Sequence, residues 1–175
     1  MTAKSFFNKV TNGSRDILEE FLALLHEQNI HYCVIGGLAV NAYAEPVISL
    51  DFDVVIAVED IDRLLASLPS DWTTKKDRFS INISTSYSDL RIQIQTDSRY
   101  NDFVLRGVKR STMGYGFQVA RIEDVLQGKI WAYLDPERRD SKRLKDLSDM
   151  KRLVESHPEL LGLVPEAIRE KFLNL

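Results

Sequence analysis

The 175-residue sequence has one cysteine, Cys33, so no intramolecular disulfide can form, and with three histidines a Cys/His zinc cluster is equally poorly supplied. Cys33 sits inside an apolar segment and reads as a buried thiol. Charge of either sign is not in excess: 23 Lys and Arg face 26 Asp and Glu, a net −3. A nucleic-acid partner would therefore need a local basic patch rather than a global one. No apolar run approaches the roughly 18 residues needed to span a bilayer, and no apolar h-region follows Met1-Thr2-Ala3-Lys4-Ser5. These absences predict a soluble, cytoplasmic protein with no membrane partner. Internal repeats and low-complexity tracts are also lacking, and a 44% hydrophobic chain of this length suits one globular domain.

What is present alternates between helical and strand-like patterns. Residues 1–13 read as polar and turn-like, and a helix capped by Ser14 runs to about Asn29 on Ile17, Leu18, Phe21, Leu22, Leu24 and Leu25. A short buried strand, His31 to Ile35, meets Gly36-Gly37, and a brief Ala-rich helix covers Leu38 to Ala44. After Glu45-Pro46 a strand continues through about Val58, beginning a βαβ-like alternation, and Asp60 caps a helix over Ile61–Leu68. Two alternating strands, Phe79–Thr85 and Leu90–Thr96, flank a turn at Tyr87-Ser88-Asp89. A surface helix and loop over 97–116 lead to a short edge strand at Phe117–Ala120. Helices follow over Ile122–Leu134, from Ser141 to before His157, and from Pro165 to about Leu173.

Three features carry chemistry. Asp51 and Asp53 lie at i and i+2 of a strand, so both carboxylates project from one face and can serve a hard cation. The Gly36-Gly37 turn opens a helix whose free N–H groups favour an anion, although such a pair is also a common tight turn. Lys129 falls in the centre of the apolar stripe formed by Ile122, Val125, Leu126 and Tyr133. A lysine there either snorkels or ion-pairs structurally, or reaches a cleft to meet phosphate or carboxylate. The second alternating strand places Arg91, Gln93 and Gln95 on one polar face. Between 137 and 152 the chain is locally basic; Leu144, Leu147, Met150 and Val154 form an apolar side, and Lys142, Lys145, Asp146 and Asp149 a polar one. That polar side also reads as a solvated face laced with Lys142–Asp146 and Lys145–Asp149 pairs.

In this order the features resemble the nucleotidyltransferase superfamily with the polymerase-beta-like minimal fold, and within it the AbiEii toxin type and its bacterial relatives. The resemblance spans about residues 31–155 and rests on Gly36-Gly37-Leu38-Ala39, Asp51-Phe52-Asp53, Gly128-Lys129 and Lys145-Asp146-x-x-Asp149. It implies an α/β (α+β) fold: a mixed β-sheet core with flanking helices over 1–120, and a C-terminal helical part, 121–175, packed on the same domain. It further implies that Asp51 and Asp53 hold Mg²⁺ or Mn²⁺ and, with Lys129, form the catalytic set. Gly36, Gly37, Ser49, Gln93, Lys142, Lys145, Asp146 and Asp149 would line the nucleoside triphosphate site. The implied reaction moves a nucleotidyl group to a hydroxyl acceptor; RNA ends, a protein hydroxyl and a small hydroxylated compound all remain open, as does a partner protein.

The chain departs from the family pattern in places. Active members carry a third carboxylate on the later strand, where this sequence has Gln93; an amide offers a neutral oxygen but no general base. Val47 stands where an arginine is frequent, and Ser49 where threonine is. Gln93 supports the alternative of a catalytically silent module, toxin–antitoxin-like, which keeps the fold for binding or regulation. A plain α/β domain whose Asp-x-Asp merely caps a strand entrance is the third reading.

Overall fold

A computed structural model describes residues 1–174. Its centre is a seven-stranded mixed sheet in the order β3-β4-β5-β2-β1-β7-β6, formed by β1 (Tyr32–Ile35), β2 (Asp51–Ile56), β3 (Thr73–Lys76), β4 (Ser80–Thr85), β5 (Ser88–Gln95), β6 (Val108–Thr112) and β7 (Tyr115–Val119). The helices are α1 (Ala3–Val10), α2 (Ile17–Glu27), α3 (Gly36–Asn41), α4 (Ile61–Ser67), α5 (Ile122–Leu134), α6 (Asp140–Ser156) and α7 (Glu166–Arg169). Three-residue-per-turn helices cover Val58–Asp60, Ser98–Arg106, Pro158–Leu163 and Glu170–Asn174. The mixed α/β architecture with helices at the C-terminus is the one the sequence implies.

The pleat sorts each central strand into two faces. Phe52, Val54 and Ile56 are fully buried on one side of β2, and Leu90, Ile92 and Ile94 continue that side on β5. Phe52 packs edge-on against Phe21 of α2 at 6.0 Å and against Phe117 of β7 at 5.9 Å, so one aromatic row fastens α2 beneath the sheet. On the opposite face β2 and β5 present Asp51, Asp53, Arg91, Gln93 and Gln95. There α3, α5 and α6 pack together on the β1 and β2 side of the sheet.

Several local expectations need correction. The N-terminal segment is not a polar turn: Thr2 caps α1, and Phe7 is buried edge-on to Tyr115 at 5.8 Å. Asp16 rather than Ser14 caps α2, accepting from the Glu19 N–H. Asp60 does not cap α4; its carboxylate accepts from the His31 N–H and pairs with His31 Nδ1 and Arg63. The β1–β2 connection is antiparallel, so the parallel partner of β2 is β5 and no βαβ crossover joins β1 to β2. β7 lies inside the sheet, flanked by β1 and β6. The outer strands are β3 and β6, whose residues are mostly solvent-exposed and include Lys75, Lys76, Lys109 and Arg110. Their lysines and arginines discourage edge-to-edge association, and also erase the apolar alternation by which a strand is read.

Because Phe52 has aromatic rings on two sides and no exposure, Phe52→Ala should lower the unfolding free energy by about 3–5 kcal/mol. Urea denaturation checks this; a loss under 1 kcal/mol, on the scale of a surface substitution, would show that the row does not hold the layers together.

Candidate active site

The site forms where β1 ends and β2 begins. Ile35 of β1 lies opposite Asp53, and α3 starts at once with Gly36, whose φ of +69° suits glycine. A Cβ at 36 would overlap the Asp53 carboxylate, so this glycine is required twice, for its backbone angle and for its lack of a side chain. At Gly37 an added Cβ would stand 3.4 Å from Ser49 Oγ and 3.7 Å from Lys145 Nζ. The turn is thus bare backbone with a lysine over it. Ser49 Oγ accepts from the Asp51 N–H at 3.3 Å and donates to the Asp51 carbonyl at 3.2 Å, setting the start of β2.

The two carboxylates have different surroundings. Asp51 Oδ1 is 2.8 Å from an Arg91 Nη, and its Oδ2 is 3.3 Å from Lys142 Nζ on α6. Asp53 has no hydrogen bond or ion pair within contact distance among the described residues. Burial pushes its pKa up from 3.8 to about 6; Lys129 opposes that rise, Asp51 adds to it, and Lys145 and Lys142 oppose it. Parallel pairing of β2 with β5 sets Asp51 beside Arg91 and Asp53 beside Gln93. Gln93 therefore stands next to the carboxylate pair. Asp89 lies elsewhere, accepting from Asn12, and Asp97 is held by Arg99 at 2.7 Å.

A cavity of about 120 Å³ is lined by Gly36, Asp53, Gln93, Tyr100, Lys129 and Asp146. Lys129 is buried, its Nζ 3.0 Å from Asp146 Oδ1 and 2.7 Å from Asp149 Oδ2. Burial pulls its ammonium down, but Asp149 and Asp146 outweigh this and hold it above its ordinary value, so it stays charged. Asp146 also meets Arg138 at 2.8 Å, and Asp149 meets Arg152 at 2.8 Å. Hence Asp146 and Asp149 do not pair with Lys142 and Lys145 on a solvated face. They point inward, and this rotation of α6 leaves Leu144, expected on the apolar side, 59% exposed. It also turns Lys142 and Lys145 toward β2 and the glycine turn.

The residues present fit a hard divalent cation. Two carboxylates share one strand face, one of them has no protein cation in contact, and Gln93, whose amide carries a neutral oxygen, stands beside it in the sheet. Among the described residues no group of three or more His, Cys, Asp or Glu side chains is placed to hold a metal. A cation here would complete its shell with ligand oxygens and water.

The profile of the family described as "Nucleotidyl transferase AbiEii toxin, Type IV TA system" matches residues 22–174. The chain belongs to this family. Among solved structures, ANT(2″)-Ia in complex with adenylyl-2″-tobramycin is similar with a TM-score of 0.62 at 14% identity, covering 89% of this chain and 97% of that one. The lincosamide antibiotic adenylyltransferase LnuA, lincomycin-bound, gives 0.56 at 11% identity over 81% and 99%. An antigenic nucleotidyltransferase-like protein from Paracoccidioides brasiliensis gives 0.55 at 16% over 99% and 88%. No curated protein sequence matches. At these identities the structures support a shared nucleotidyltransferase-like fold.

For an AbiEii-family chain, the sequence reading overlooked five supports of the site. Arg91 was visible only as one member of a polar strand face. Arg138 and Arg152 lay hidden in a basic run, although Arg138, just before α6, holds Asp146 eight residues on, and Arg152 holds Asp149 three residues back. Asn41 gave no signal: its amide donates to the Val47 carbonyl at 2.7 Å, accepts from the Val47 N–H at 3.0 Å, and so pins the loop that delivers Asp51. Tyr100, buried and with its phenol pushed up to about 12 by burial, closes one cavity wall.

The folded state binds a proton at Asp53 more tightly than the unfolded chain, so this residue's contribution falls as pH rises from about 4 to about 6, and the loss persists at neutral pH. In the presence of chelator, Asp53→Asn should melt a few degrees higher than the unsubstituted protein at neutral pH, the gap closing toward pH 4. Thermal scans across that range check it; a variant less stable at neutral pH would contradict the account of Asp53 as a strained carboxylate.

Proposed function

We propose that this AbiEii-family chain binds a nucleoside triphosphate with Mg²⁺ or Mn²⁺ at Asp51 and Asp53 and transfers its nucleotidyl group to a hydroxyl acceptor. The observation that carries this reading is the Asp53 carboxylate, pressed against Gly36 beneath the cavity with no cation in contact and Asp51 beside it. The bound cation supplies neutralisation of charge on the triphosphate and on the transition state. The protein supplies position. Gly36 and Gly37 let backbone approach the phosphates, with Lys145 above the turn and Ser49 fixing Asp51 below it. Lys142 leaves Asp51 to meet phosphate, while Asp146 and Asp149 keep Lys129 charged at the cavity wall. The acceptor oxygen attacks the α-phosphorus, the bond to the β-phosphate breaks, pyrophosphate leaves, and the acceptor proton passes to solvent.

The acceptor class stays broad: an RNA end, a protein hydroxyl or a small hydroxylated compound. The structurally similar ANT(2″)-Ia and LnuA, crystallised with an adenylylated aminoglycoside and with lincomycin, support the small-molecule option; the family's toxin description supports a macromolecular one and an antitoxin as partner. Among the described residues no helix is long and apolar enough to cross a membrane. One observation favours a second reading, a silent binding module: Gln93 lies in register with Asp53, where a third carboxylate would act as base.

Calorimetric titration of ATP, GTP, CTP and UTP, with Mg²⁺ and with chelator, separates these readings from a plain structural domain. We expect Mg²⁺-dependent binding of at least one triphosphate, abolished in Asp51→Asn/Asp53→Asn; binding unchanged in that variant would refute the site. Label transfer from the bound triphosphate by the unsubstituted protein supports the enzyme. Absence of transfer with its appearance in Gln93→Asp supports the silent module.

A further inference from the structure

The charge at the cleft floor is not that of a site built for two metals. Asp51 and Asp53 are the carboxylates that β2 brings to it; the others lining the cavity, Asp124 and Asp146, are already held by Arg106 and Arg121 and by Lys129 and Arg138, and the neighbouring strand offers the neutral Gln93 with Arg91 on the same face two residues earlier. Arg91 is not an incidental surface group. Strand pairing sets it directly beside Asp51, one Nη holds Asp51 Oδ1 at 2.8 Å, and its remaining guanidinium N–H groups meet no protein acceptor among the described residues. Its side chain is 61% exposed, open to a ligand. Lys142 holds the other Asp51 oxygen more loosely, at 3.3 Å, from the end of a flexible stem on α6.

We propose that Arg91 stands where a second cation would, and that the site takes a single divalent ion. This rests on the preceding reading of Asp51 and Asp53 as metal ligands. When the ion arrives, Lys142 yields Asp51 Oδ2, whereas Arg91, fixed by strand register, keeps Oδ1. Its permanent charge repels another cation from Asp51, and Gln93 supplies no compensating negative charge. The free guanidinium donors then face the triphosphate, making Arg91 a residue that binds substrate oxygen in a fixed fork.

Counting Mn²⁺ sites by electron paramagnetic resonance titration tests this without any assay of activity. One Mn²⁺ per chain is expected in the unsubstituted protein, and two in Arg91→Gln/Gln93→Asp, with circular dichroism confirming that the variant folds. Two in the unsubstituted protein, or one in the folded double variant, would overturn the proposal. No Mn²⁺ in the unsubstituted protein would instead overturn the Asp51 and Asp53 reading beneath it. An independent measurement uses inorganic tripolyphosphate at saturating Mg²⁺. Arg91→Gln should weaken its binding about tenfold, the factor for losing one charge-assisted hydrogen bond, and Arg91→Lys should restore part of that loss. Equal affinity in Arg91→Gln and the unsubstituted protein would also overturn it.

Discussion

A carboxylate held against bare backbone, with no cation in contact, sets the terms for the rest of this structure. Asp53 occupies the space that any side chain at position 36 would need. That single contact demands glycine at the turn and fixes where β1 stops and α3 starts. It also raises the electrostatic energy of the apo state, since a half-buried carboxylate stripped of much of its water wants either a proton or a positive partner. The fold answers with charges at longer range: Lys129, Lys145 and Lys142 all act on Asp53, and none forms an ion pair with it. A site so arranged is attractive to a small, doubly charged ion, which approaches closer than an ammonium on a tethered stem.

Those lysines stay in place because of a second, buried arrangement. Lys129 lies between Asp146 and Asp149, and each carboxylate has a further arginine, Arg138 or Arg152. Buried ion pairs seldom add net stability, because desolvation offsets their attraction. They do fix geometry. Removing any one member leaves an opposite charge short of a partner, so α6 is committed to one rotation against α5. That rotation exposes Leu144 and turns Lys142 and Lys145 toward the cleft. Arg152 extends the same network to the Asn41 side chain and the Glu45 carbonyl, linking α6 to the loop before Asp51.

Much of this was legible in the sequence, and the reasons differ by element. The central strands announced themselves through β-branched runs and through the alternation of β5, and Ile122–Leu134 matched the extent of α5. Lys129 stood out because an apolar stripe tolerates a cation only for a reason. Asp-x-Asp on a strand carried its own geometry. The edge strands β3 and β6 were not legible, since exposed lysines and threonines have no face to bury. α1 was missed because its burial rests on Phe7 finding Tyr115, more than a hundred residues away. The inward turn of Asp146 and Asp149 was hidden for a similar reason: helical periodicity alone pairs them with Lys142 and Lys145, and only the presence of Lys129 across the interface decides otherwise. Arg91 gained meaning only from strand register, which no local pattern supplies.

The most direct test of the account is nuclear magnetic resonance of the labelled protein titrated with Mn²⁺, whose unpaired electrons broaden nearby signals. We predict broadening centred on Gly36, Asp51, Asp53 and Gln93 and absent from α2 on the opposite face of the sheet. Broadening centred elsewhere, or none at all, would contradict the claim that Asp53 awaits a divalent cation.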